Sequence, residues 1–332
     1  MKSALILFIF LFMYKGNSQE IFSYEKRADS LRIYNHKEIV FFNDISKIKL
    51  SGTLIEPKEN YEKVVIIVPG SGKDTRHSHF ILTENLLKNG IAVFRFDERG
   101  IGKSEGIYSE LAGDLSQDLC FGYKYLHQNL KHKSIGFIGH SLGGIAVLEG
   151  MQKGEIKPDF LILIETPIIK NGAFVLNQIK MDYKNSIPEI MKKGKTKEEV
   201  MLFLESYFTT ISNGSLKSKK EIKKFIKEKG FNSKFIVLMN DDFLMEMINL
   251  DIEETLKNIT TPTLYLSGTK DKIINHTEEI KLITRFNNNY IDIETFDGLN
   301  HWLTKKDAPI GTSLYLMDDL AMKKIIEWTL SK

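Results

Sequence analysis

The chain has 332 residues, 42% of them apolar and 27% charged, and it carries 21 Phe and 12 Tyr. That length holds one α/β domain with an insertion or two small domains, and the apolar content excludes disorder as its main character. A formal net charge of +3 gives no case for nucleic-acid binding across the whole protein. The single cysteine, Cys120, excludes an internal disulfide and a cysteine-based metal site.

Lys2 is followed by an apolar run from Ala4 to Tyr14 and then by Lys15-Gly16-Asn17-Ser18. This is the layout of a secretory signal peptide, a positive start, a short apolar stretch and small residues at a cleavage point. The run is too short to span a bilayer, which takes about 20 residues. Residues 1–18 therefore read as a leader, with a secreted or periplasmic mature chain and no stable membrane insertion after cleavage; the alternative is an uncleaved N-terminal anchor. No cysteine follows the run, so lipoprotein processing is not indicated.

After a helical or irregular lead-in over residues 19–35, the period changes to alternation. Ile39 and Phe41, then Ile48 to Ile55 with a stop at Pro57, predict an antiparallel start to a sheet. Val64 to Val68 is a continuous β-branched run, as in a strand covered on both faces. From there strand and helix alternate: a helix over Phe80–Asn89, a strand over Ile91–Phe96, a helix over Asp114–Asn129, a strand over Ile135–Gly139, a helix over Leu142–Gln152 and a strand over Phe160–Ile164. The rhythm predicts an α/β fold with a doubly wound, mostly parallel sheet. Residues 166–256 break it with helical periodicity and no buried strand, and between Lys192 and Lys234 they carry 12 Lys against 5 Glu. They read as a helical cap inserted between a first core part, 19–165, and a second, 257–332. The lysine excess reads first as a solvated surface. Strands over Thr263–Gly268 and Tyr290–Thr295 and a helix over Met317–Leu330 complete the second part.

Gly139-His140-Ser141-Leu142-Gly143 follows a buried strand and opens a helix, the context a nucleophile elbow requires. The serine of such an elbow sits on a strained turn, so the residues two before and two after it must be small. A serine hydroxyl needs a base. His301, in Gly298-Leu299-Asn300-His301-Trp302, lies after the final strand, where this architecture puts its histidine. His276 lies just beyond a strand end and stays in contention, whereas His140 is expected to point away. The carboxylate that fixes the imidazole tautomer is expected at Asp271, after the strand ending in Ser267-Gly268, with Glu165 and Asp297 as rivals. Oxyanion donors are expected from the amide of Leu142 and from that of Ser71, in the turn Pro69-Gly70-Ser71-Gly72. Gly102-Lys103-Ser104 imitates the end of a P-loop, but Asp97 stands where its first glycine belongs. Asp97 and Arg99 are instead expected to pair and hold a loop. Nothing has zinc-ligand spacing, and no cofactor or metal is called for.

Together these motifs, with Ser51-Gly52-Thr53-Leu54, Phe94 to Ser104 and Pro262-Thr263-Leu264, resemble the α/β-hydrolase superfamily, in its bacterial serine-aminopeptidase-like and acyl-esterase-like branch. The resemblance runs from about Glu38 to Leu303. It implies a triad at Ser141, Asp271 and His301 and a helical cap over the site. Leu142 departs from it, since the family often has a polar residue there. The cap sequence matches least. The expected activity is cleavage of a carboxylic ester through an acyl-serine, with an apolar lid containing Phe243, Leu244, Met245 and Met247, residues that serve equally as cap core. An exopeptidase or amidase, with Glu165, Asp241 or Asp242 holding a substrate amine, and a thioesterase are the alternatives. A non-catalytic binding protein is the remote one. The partner is a small-molecule ester or peptide-like substrate.

Overall fold

The computed structural model describes residues 33–216, 218–305 and 316–332. The expected leader, residues 1–18, lies outside them. The described residues form two compact units: those within Ile168–Glu254 together with Lys272–Asn275, and the remainder, 33–167, 255–271, 276–305 and 316–332.

The larger unit is built on one sheet of β1 (Tyr34–Asn43), β2 (Ile48–Pro57), β3 (Lys63–Val68), β4 (Ala92–Phe96), β5 (Ser134–His140), β6 (Leu161–Ile164), β7 (Thr263–Gly268) and β8 (Ile291–Phe296). Its eight strands run in the order β1-β2-β4-β3-β5-β6-β7-β8. β1 and β2 are antiparallel to each other, β2 is antiparallel to β4, and every pair from β4 to β8 is parallel. The burial pattern explains the arrangement. β4, β6 and β7 are buried at every position, as strands covered on both faces must be, whereas the edge strand β1 alternates over its second half.

Helices cover both faces, as the alternation predicts. On one side α1 (Phe80–Lys88) and the C-terminal helix Asp319–Ser331 bury Leu82, Leu86, Ile325 and Trp328 against Val65, Ile67 and Leu264. Among the residues buried on α2 (Ala112–Asn129) and α3 (Leu142–Gln152) are Leu119, Tyr123 and Ile145, and the Tyr123 ring packs 5.6 Å from that of Phe137 on β5. Cys120 is buried and free. The chain leaves β3 for β4 on one side and crosses back to β5 on the other, so β3 and β5 flank the point where the winding reverses. The carboxyl ends of strands at such a point form a crevice.

The smaller unit is helical, with α4 (Ala173–Met181), α5 (Lys197–Ser212), α6 (Lys219–Glu228) and α7 (Asp242–Asn249) as its longer helices. Reciprocal capping boxes start two of them, Thr196 with Glu199 and Ser218 with Glu221. Its core is aromatic: Phe203 stacks on Phe231 at 4.0 Å and meets Phe235 edge-on at 5.0 Å. Leu244 and Met247 are buried, while Ile222 and Ile226 turn α6 inward and leave Lys223, Lys224 and Lys227 exposed. Among the described residues no helix is long and apolar enough to cross a membrane.

Candidate active site

β5 hands the chain to α3 at Ser141, which holds φ 52° and ψ −119°. A non-glycine residue pays about 1–3 kcal/mol for such a backbone, and the surrounding glycines show what enforces it. A Cβ on Gly143 would collide with the carbonyls of Val68 and Pro69, and one on Gly144 with Thr166. A Cβ on Gly139 would stand 2.6 Å from the Gly144 Cα. The turn is closed by the Ser141 amide donating to the Ile164 carbonyl at 2.8 Å. Leu142 is the first residue of α3, and the opening amides of a helix have no partner within it. The turn after β3 reaches the same place: a Cβ on Gly70 would lie 3.2 Å from that of Ser141. Ser71 follows, exposed.

Asp271 and His301 meet directly. Nδ1 of His301 lies 2.6 Å from Oδ2 of Asp271, with side chains 4% and 0% exposed. A carboxylate at Nδ1 places the ring proton there and leaves Nε2 as the acceptor. Asn300, which the sequence reading did not single out, shapes the loop: its Oδ1 accepts from the amides of Trp302 at 3.0 Å and Thr304 at 3.2 Å. The Lys270 amide donates to the Leu299 carbonyl at 2.8 Å and fastens this loop to the end of β7.

His140 does not simply point away. Its ring is buried 5.1 Å from that of His301, with Nε2 2.9 Å from the His301 carbonyl. Burial first, then His301 and His79, hold its pKa well below the usual histidine value. A neutral ring that donates from Nε2 leaves Nδ1 to accept from Nε2 of His79 at 3.3 Å. His79 is itself lowered to about 4 by burial and by the Arg95 charge. The residue before Ser141 therefore docks on the backbone of His301.

The rivals have other partners. Asp297 accepts from the Thr269 hydroxyl at 2.8 Å. Nδ1 of His276 lies 2.8 Å from the Ser267 hydroxyl. Glu165 is fully buried, at φ 45°, and its carboxyl accepts from the Gly268 amide and from the Ser267 hydroxyl.

The expected Asp97–Arg99 pair is not formed. Arg99 instead grips the start of α2, with Nη1 2.7 Å from Asp114 and Nε 2.8 Å from Asp118. The partner of Asp97 is Arg76, in the loop after β3. Arg76 also donates to Ser51 on β2 at 2.6 Å and to Glu38 on β1 at 2.9 Å. The P-loop imitation serves the same knot: the Lys103 amide donates to Asp97 at 2.9 Å and the Ser104 hydroxyl to the Asp97 carbonyl at 2.7 Å. In the loop after β3, burial raises the Asp74 carboxyl to about 7. Burial first, then Asp74 and Asp118, raise that of Glu98.

Glu165, Asp271 and His301 bring one oxygen or nitrogen each within 4.8 Å of one another. The spacing does not suit zinc. Tetrahedral ligands at its usual bond lengths stand about 3.3 Å apart, but His301 and Asp271 are at hydrogen-bond distance, 2.6 Å. The Glu165 carboxyl is also raised well above its usual range, by burial first and then by Asp271, and a neutral acid is a poor ligand.

A strained strand-to-helix turn at the carboxyl end of β5, on a sheet of this order, is the architecture of an α/β-hydrolase. The chain belongs to the serine aminopeptidase family S33, Hydrolase_4, whose model matches residues 59–307. Solved structures share the fold. An esterase of Pyrococcus furiosus aligns over 91% of this chain and 93% of its own, at 19% identity and TM-score 0.59. The Butyrivibrio proteoclasticus protein Est1E, with ferulic acid bound, aligns over 88% and 98%, at 18% identity and TM-score 0.54. A thermostable carboxyl esterase of Bacillus coagulans aligns over 89% and 98%, at 15% identity and TM-score 0.55. No curated protein sequence matches significantly.

Proposed function

We propose that this hydrolase cleaves a carboxylic ester through an acyl-serine, with Ser141 as nucleophile, His301 as base and Asp271 as the orienting acid. The observation that carries the reading is the buried 2.6 Å hydrogen bond between Asp271 and His301, on a loop docked to the neighbour of Ser141. Ser141 Oγ attacks the ester carbonyl as His301 Nε2 takes its proton, and Asp271 stabilises the imidazolium. The amides of Leu142 and Ser71 receive the oxyanion. His301 then protonates the departing alcohol, and water repeats the sequence to free the acid.

An exopeptidase needs an accessible carboxylate for the substrate amine. Glu165 is fully buried, and Asp241 accepts from the Leu244 amide at 2.9 Å as the cap of α7, so neither favours that reading; Asp242 is exposed, and the anilide arm of the panel below tests it. Export of the chain rests on Lys2 and the apolar run Ala4–Tyr14, and N-terminal sequencing of the native protein tests it.

The test is a panel of p-nitrophenyl esters, acyl thioesters and aminoacyl anilides, with fluorophosphonate labelling of wild type and Ser141→Ala. Ester turnover and labelling, both lost in Ser141→Ala, are expected. Labelling that persists in the variant removes Ser141 from its role, and turnover of anilides alone replaces the esterase reading with a peptidase.

A further inference from the structure

Two buried carboxyl groups stand behind His301, and the proposed reaction uses only one. Glu165 ends β6 and Asp271 follows β7, its neighbour in the sheet. The Glu165 carboxyl accepts from the Gly268 amide and from the Ser267 hydroxyl, the latter at 2.9 Å, and one of its oxygens lies within 4.8 Å of a carboxylate oxygen of Asp271. Ionised carboxylates are acceptors only and repel each other, so two of them this close and away from water favour one shared proton. Geometry decides which holds it. Asp271 faces the His301 ring, which rewards a negative charge. Glu165 is met by neutral donors, the Gly268 amide and the Ser267 hydroxyl.

We infer that Glu165 is a positioning residue of this site, a neutral carboxylic acid that donates a hydrogen bond to Asp271 and so fixes the carboxylate that holds His301. The inference rests on the proposed role of the Asp271–His301 pair. The other titratable groups nearby agree with it. Burial keeps His276 below its ordinary value against the opposing pull of Asp271, so it adds no cation beside Glu165. The buried Tyr265 hydroxyl donates to the Thr166 carbonyl at 2.7 Å, and Glu279, buried on the helix His276–Arg285, is a further acid on that side. A second full negative charge would raise the basicity of His301, so that the ring would hold a proton before the reaction and release it less readily to the leaving alcohol. A neutral Glu165 confines the pair to the single charge that an imidazolium balances.

Two substitutions read this out. Gln in place of Glu165 keeps a neutral donor for Asp271 and an acceptor for the Gly268 amide, whereas Leu keeps neither. The expected results are ester turnover within roughly threefold of wild type for Glu165→Gln and a fall in kcat on the order of 10²-fold, with little change in KM, for Glu165→Leu. The acid limb of kcat/KM should stay in place for Glu165→Gln, and the downfield proton resonance of His301 Nδ1 should persist there. If Glu165 is ionised, Glu165→Gln removes a negative charge and the acid limb moves down by about one pH unit, which overturns the inference. A Glu165→Leu variant with wild-type kcat and an unmoved His301 resonance overturns it too, leaving Glu165 as packing. Near-UV circular dichroism reports folding of the Leu variant, and the Gln profile decides the matter if that variant does not fold. Wild-type turnover and its loss in Ser141→Ala test the underlying reading separately.

Discussion

Arg76 and Asp97 face each other at 2.8 Å with side chains 5% and 3% exposed. Burial opposes the charge on Asp97, but hydrogen bonds from Arg76 and from the Lys103 amide outweigh it and hold the carboxyl below its usual range. The pair joins the loop after β3 to the end of β4, and Arg76 extends the tie to β2 and β1. Breaking such a pair from one side strands a buried charge, at a cost of about 3–5 kcal/mol. Arg76→Met is therefore expected to lower the unfolding free energy by about that amount in urea titrations. A change below about 1 kcal/mol, the scale of a surface pair, would show that the knot is dispensable.

Gly143 permits no side chain, because the atoms a Cβ would strike are backbone carbonyls of Val68 and Pro69. Gly143→Ala must push β3 and α3 apart, and overpacking of this kind costs about 1–3 kcal/mol or more. Lower stability together with loss of fluorophosphonate labelling is expected. Unchanged labelling kinetics would mean that the elbow tolerates a wider turn.

For Asp271→Asn the fold should persist while turnover falls on the order of 10⁴-fold, because an amide favours the wrong imidazole tautomer. Circular dichroism and ester hydrolysis measured on one preparation check both halves. A rate near that of wild type refutes the assignment of Asp271.

Asp74 gives a pH signature with a defined sign. Its carboxyl is raised from 3.8 to about 7 in the folded protein, so between those values the native state binds more protons than the unfolded one. This contribution to stability is complete below the unfolded value and is lost as pH rises through about 7. Asp74→Asn removes the loss. The variant should melt above wild type at pH 8, with the difference shrinking toward pH 4, values chosen as roughly bracketing that window. A difference that stays constant with pH would place the Asp74 carboxyl at its ordinary value.

The elbow was legible because its requirements are local. Gly139, Gly143 and Gly144 lie within six residues, and the steric rule acts across that distance alone. The pairing of Asp271 with His301 followed from strand order, since consecutive strands of a parallel sheet present their carboxyl ends together. Partners chosen by side-chain direction were not legible. Asp97 and Arg99 are two apart and of opposite charge, but one faces the loop after β3 and the other faces α2. Arg76 reaches residues 21 and 38 positions away, and no spacing in the chain announces that. Glu165 looked like a competitor of Asp271 because both follow strands, and only the adjacency of β6 and β7 turns competitors into a pair.

β6 and β7 are hydrogen-bonded neighbours, Leu161 to Ile164 against Thr263 to Leu266, yet almost a third of the polypeptide departs between them and returns. Closing so long an excursion is already accounted for in the sheet, and doubling its length would add only about 0.6 kcal/mol. The helical segment is thus free to drift in sequence and size during descent, while the turn at Gly143 has no room for a single added methyl group. The same sheet can therefore carry insertions of very different length without any change in the strands that present Ser141, Asp271 and His301.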